Sequence, residues 1–154
     1  MQHRIVRAAA LPLVVAIVFI AGMNVGDREA EPVASSVVSE QEAARDDFDW
    51  GTLFSYFEGE TFGTENVLAA VAVIEPGMEI HPPHRHTEEE YMLVTAGEGT
   101  WHLNGEDFQA GVGDMLYAAP WDIHGIKNTG SAPLRFVVWK WDNKGIELPA
   151  DPNE

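Results

Sequence analysis

From Trp50 onward, apolar residues fall in short runs separated by turn residues, and no segment there keeps a helical period. The clearest runs are residues 53–57, 67–74, 91–95, 100–103, 115–118 and 134–141. Each has strand length, and most are rich in β-branched or aromatic side chains. Asn104-Gly105 is a hairpin signal because both residues tolerate positive φ, and Glu75-Pro76-Gly77 and Asn128-Thr129-Gly130 mark further turns. Regular strands over roughly 100 residues predict an all-β sandwich or barrel. The run FVVWKW at 136–141 is apolar on both faces, so its inward parity stays open. A homodimer interface or a covering linker would each account for its second apolar face.

The first 23 residues differ in kind. Arg4 and Arg7 precede an apolar stretch at 8–23, and Asp27, Glu29 and Glu31 follow it. Basic, then apolar, then acidic is the order of a signal peptide or signal anchor that leaves the N-terminus in the cytoplasm and carries the rest across. Residues 24–49 are acidic and small, with too little apolar surface to offset their ordering entropy, and read as a flexible linker in which 39–45 can form a short helical turn. The organisation expected is therefore signal segment 1–23, linker 24–49, barrel 50–148 and tail 149–154. A chain beginning near Asp46 is expected to fold and to keep every candidate ligand. Localisation is expected to be periplasmic or secreted, with any membrane contact made through the N-terminal segment.

Composition narrows the function. Nine Lys and Arg stand against 25 Asp and Glu, a formal charge of −16, so the basic footprint of a nucleic-acid binder is missing. The chain has no Cys, which removes disulfides, thiolate metal sites and a cysteine nucleophile. What remains is histidine and carboxylate chemistry. In His84-Arg85-His86 the two imidazoles are two residues apart, so on a strand they project from one face, and Arg85 points away. Neutral imidazole is the commonest protein ligand for transition metals, and Glu90 adds a carboxylate. On residue type alone the His pair also fits a surface pair, and Glu88-Glu89-Glu90 a solvated acidic turn.

The wider spacing resembles the two motifs of the cupin superfamily. His84, His86, Glu90 and Gly97 follow the first, with Gly77 one residue further from His84 than the family spacing, and the six residues between Glu90 and Gly97 select Glu90 over Glu88 and Glu89. Gly113, His124 and Asn128 follow the second, with Ala119 and Trp121 where the family usually has Pro and Gly. The resemblance spans roughly residues 50–145. It implies a double-stranded β-helix, a jelly-roll barrel, holding one divalent transition metal on His84, His86, Glu90 and His124. Such mixed ligation suits Mn, Fe, Co, Ni or Zn. The partner implied is a small-molecule substrate or ligand. The activity implied is metal-dependent and oxidative, of the dioxygenase type ahead of isomerase or hydrolase, with Glu90 also serving as a base. The alternative is a non-catalytic metal-binding or sensing module.

Around this set, Met92 and Val94 share the parity of Glu90 and are expected to line the cavity. Trp121 and Tyr117 are candidates for its mouth, and His81 reads either as a partly exposed loop residue or as a base or spare ligand beside the set. His102 is expected at the surface, and Asn128 and Asp114 in structural roles. Arg85 is the only cation expected near the motif.

Overall fold

The computed structural model describes residues 32–152. Among these there are nine strands and no helix: β1 Ala44–Phe48, β2 Gly51–Gly59, β3 Thr64–Ile74, β4 Glu89–Ala96, β5 Gly99–Leu103, β6 Glu106–Ala110, β7 Met115–Ala118, β8 His124–Lys127 and β9 Leu134–Asn143. All pairings are antiparallel. A six-stranded sheet runs β1-β2-β3-β9-β4-β7 and a three-stranded sheet β6-β5-β8. Isolated bridges from Glu79 to Lys127 and from His84 to His124 lay the segment after Gly77 alongside β8, extending the smaller sheet.

Side-chain alternation explains why the two sheets close on one core. In β3, Ala70, Ala72 and Ile74 are buried; in β4, Met92 and Val94; in β9, Leu134, Phe136 and Val138. Each set follows the period of two that a half-buried strand requires. Trp101, Ala110, Leu116 and Ile126 complete the core from β5, β6, β7 and β8. The open parity of the last run is thereby resolved. Even-numbered residues of β9 face inward, while Trp139 lies on the outer face, 38% exposed.

The six apolar runs all lie inside observed strands. Asn104 and Gly105 take φ values of 51° and 90° and join β5 to β6, as their turn chemistry requires. At Gly97 (φ 78°) a Cβ would lie 2.5 Å from the Pro133 carbonyl oxygen, so that turn admits only glycine.

The expected linker needs correction. The helical turn is present, with the Ser39 carbonyl accepting from the amides of Glu42 and Ala43, and Glu42 Oε2 accepting from Ser39 N and Oγ. The chain then enters β1, which pairs with β2 from Ala44–Ser55 to Phe48–Gly51. All five residues of β1 are exposed, so backbone hydrogen bonds hold it with little burial beyond the stacking of Phe48 on Trp50. A reading based on hydrophobic burial passes over such a strand. The sheet begins at Ala44, ahead of the expected boundary at 50, and a chain begun at Asp46 would cut β1. The expected signal segment, 1–23, and the start of the expected linker lie outside the described residues. Among the described residues, no helix is long and apolar enough to cross a membrane.

Candidate metal centre

Local sequence delivers the histidines to one end of the barrel. The chain bends through His81-Pro82-Pro83, where each proline fixes its own φ and keeps the preceding residue out of the helical region. His84 then exchanges both backbone hydrogen bonds with His124 of β8, at 3.0 and 2.9 Å. Gly125 eases the approach, since a Cβ there would meet Pro83 Cα at a tight 3.3 Å. The His86 carbonyl accepts from the Trp121 amide at 2.8 Å, and Trp121 takes a φ of 69° at this junction. Glu90, the second residue of β4, projects inward and is 7% exposed.

The result is a compact cluster. Ring nitrogens of His84, His86 and His124 all lie within 4.8 Å of one another, a group that can hold a metal ion. Glu90 Oε2 is 3.0 Å from His86 Nε2 and 3.6 Å from His124 Nε2. Hydrogen bonding fixes which nitrogen is free. His124 Nδ1 faces the Asp122 carbonyl at 2.8 Å, and His86 Nδ1 faces the Glu88 carbonyl at 3.1 Å. A carbonyl only accepts, so both Nδ1 atoms carry a proton, and in the neutral rings both Nε2 lone pairs point toward the Glu90 carboxylate. His84 Nδ1 and His124 Nε2 are buried with no hydrogen-bond partner. Lone pairs converging on an anion are repulsive unless a cation lies among them. The donor set therefore fits a divalent transition metal, and the three imidazoles with Glu90 supply the ligands such an ion takes.

Electrostatics agree with this. Burial and the neighbouring His81, His124 and His86 rings push His84 down to about 4, so it is neutral at neutral pH. Burial alone would raise Glu90, but its contacts with His124 and His86 outweigh that and hold it down at about 2. Burial also opposes charge on His124, yet Glu90 and the Asp122 carbonyl raise it above the ordinary value.

The cluster forms part of the wall of a cavity of about 170 Å3, otherwise lined mainly by apolar side chains including Trp50, Leu53, Leu68, Met92, Phe136 and Val138. His81 joins the wall, its ring centroid 3.9 Å from that of His84. Met92 lines the cavity as its parity predicts, whereas Val94 sits in the closed core and does not reach the wall. Tyr117 is not at the mouth. It is 42% exposed and packs against Tyr91, 4.7 Å between centroids, on the outer face of the sheet. Trp121 is outside the wall too, donating from Nε1 to the Pro149 carbonyl at 2.6 Å. Arg85 turns away to Asp151 at 3.3 Å, and His102 pairs with Asp107 at 2.8 Å on β6. Asn128, fully buried, donates to the carbonyls of Ile74 and Ala132 and accepts from the Gly130 amide. Asp114 accepts from the Gly111 amide.

Two residues were missed. Lys140 of β9 lines the cavity and donates to Glu88 Oε1 at 2.7 Å, so Arg85 is not the only cation near the motif. Burial opposes ionisation of Glu88, but Lys140 outweighs it and holds the carboxyl below its ordinary value. Lys140 shares the parity of Phe136 and Val138, a signal hidden by the apolar residues on both faces of that run. Glu88 was set aside because only one Glu fits the motif spacing.

With the geometry in hand, the comparisons define the class. Residues 70–140 match the family model described as Cupin domain. A Klebsiella pneumoniae protein with a double-stranded β-helix domain superposes with a TM-score of 0.58 at 26% identity, covering 76% of this chain and 99% of that one. The chain carries a domain of the cupin superfamily. It is 27% identical over 94 residues to a gentisate 1,2-dioxygenase of a Streptomyces species, covering 60% of this chain and 24% of that protein. It is 31% identical over 71 residues to an oxalate-binding protein of Thermotoga maritima, covering 46% of this chain and 59% of that one. The chain thus matches about a quarter of the dioxygenase and little more than half of the oxalate-binding protein.

Proposed function

We propose that this chain is an exported, metal-dependent cupin that carries out oxidative chemistry on a small organic molecule with an apolar body. The observation that carries the reading is the convergence of the His86 and His124 Nε2 lone pairs on Glu90 in the wall of an apolar cavity. His84, His86, Glu90 and His124 would hold the metal. An ion so ligated supplies Lewis acidity and, if redox-active, a path for dioxygen chemistry.

The chain's own residues do the rest. An apolar cavity of about 150 Å3 is enough to bind a benzene ring, so the space here takes one small ring or a short chain. Trp50, Leu53, Phe136 and Val138 exclude water from that body. Glu90, held at about 2, is ionised throughout the physiological range, which suits a ligand. To take a proton on Oε2 it must first part from His86 and His124, which returns it toward the ordinary carboxylate range. His81 and Lys140 add a titratable ring and a cation to the wall, which favours catalysis over simple storage. Likeness to gentisate dioxygenases supports oxidative chemistry. Likeness to the oxalate-binding protein supports a second reading, a binder of small organic anions.

An oxygen-uptake screen of metal-loaded protein with phenols, diketones, thiols and organic acids separates the two. Uptake with one class that disappears on chelation is expected. Saturable binding of a small acid without uptake would favour the binder. Export rests on the basic, apolar and acidic order of the N-terminal sequence. Fractionation with mass spectrometry should place the chain outside the cytoplasm, and full-length soluble cytoplasmic protein would contradict it.

A further inference from the structure

On its Nδ1 side, His86 meets charged groups that the four candidate ligands do not include. Nδ1 lies 3.1 Å from the Glu88 main-chain oxygen and 3.2 Å from Glu88 Oε2. The other carboxylate oxygen, Oε1, accepts a hydrogen bond of 2.7 Å from Lys140 Nζ. The side chains of His86 and Glu88 are each 15% exposed and that of Lys140 27%, so the array is largely shielded from water. Lys140 arrives from β9, in register with Glu90 of β4. One carboxylate therefore joins a cation on the cavity wall to an imidazole of the metal cluster.

We propose that Glu88 and Lys140 are positioning residues for His86: the Glu88 main-chain oxygen sets the Nδ1–H form, the carboxylate beside it orients and polarises the ring, and the ammonium fixes the carboxylate. The proposal rests on the metal-centre reading. A carboxylate beside the donor nitrogen of a ligating histidine orients the ring and strengthens the opposite nitrogen as a ligand. Glu88 is also near enough in sequence to Glu90 to compete for a metal, and its ion pair with Lys140 keeps it turned away. A pair serving stability alone would have no reason to contact a ligand ring.

The test uses the full chain, stripped of metal and titrated with Co2+ against a chelator, with the visible ligand-field bands recorded. Glu88→Gln and Lys140→Met should each keep one Co2+ per chain but bind it about 10–100-fold more weakly, with shifted bands. Lys140→Arg should restore both toward wild type. The double variant should be no weaker than Glu88→Gln alone, because both changes act through one ring. Wild-type affinity and bands in Glu88→Gln, together with loss of Co2+ in His86→Ala, would overturn the positioning role and leave the metal centre standing. Undiminished binding in His86→Ala would overturn both. Should Glu88→Gln fail to fold, Lys140→Met read against Lys140→Arg decides the same question.

Discussion

A histidine with a proton on Nδ1 keeps its lone pair on Nε2, and at two positions the backbone imposes that form. The Asp122 and Glu88 carbonyls leave His124 and His86 no other choice. Glu90→Gln should therefore retain metal at reduced affinity, because a carboxamide is a neutral ligand, as read by chelator competition. Affinity equal to wild type would count against Glu90 as a ligand. His84 gives a pH prediction. Its unfolded form takes a proton near 6.5, while the folded ring resists until about 4. The unfolded state thus binds more protons in that window, and the metal-free protein should lose stability as pH falls from about 6.5 to about 4. His124, with its raised value, works in the opposite sense, so the informative comparison is with His84→Gln. Denaturation midpoints of that variant should fall less steeply between pH 7 and 4.5. An equal slope would mean that His84 is not desolvated as described.

At the scale of elements, strands long enough to alternate a buried apolar face were legible, and an exposed edge strand or a very short buried one was not. Alternation marked β3, β4 and β9 because their inward residues are apolar. It failed for β1, whose sequence ARDDF has no fully buried residue and half-covers only Phe48. It also passed over β8, a four-residue strand that carries His124. Motif spacing found His124 where periodicity could not. Lys140 stayed hidden because its strand is apolar on both faces, and Glu88 because a family spacing names only one ligand of the acidic triplet. The expected cut near Asp46 divides β1. A chain starting at residue 32 should fold like the full chain, whereas one starting at Trp50 should melt lower and associate more, with the edge of β2 uncovered. Equal melting and solubility would show β1 to be dispensable. Asn128 joins the end of β3 to the loop before β9, and Asn128→Ala leaves its buried partners unpaired. Urea unfolding should record a loss of about 3 kcal/mol, and a loss below about 1 kcal/mol would contradict its structural role.

The whole molecule is an acidic barrel with a weakly solvated end. A formal charge of −16 leaves the exterior hostile to nucleic acid, while one apolar cavity holds the convergent imidazoles. The central claim is that this convergence is a metal centre. It is tested most directly by the metal-to-protein ratio of natively purified full chain, set beside the His86→Ala, His124→Ala double variant. The account predicts about one transition metal per wild-type chain and almost none in a folded double variant. Equal metal content in the two proteins, or a wild type that takes up no metal, would contradict it.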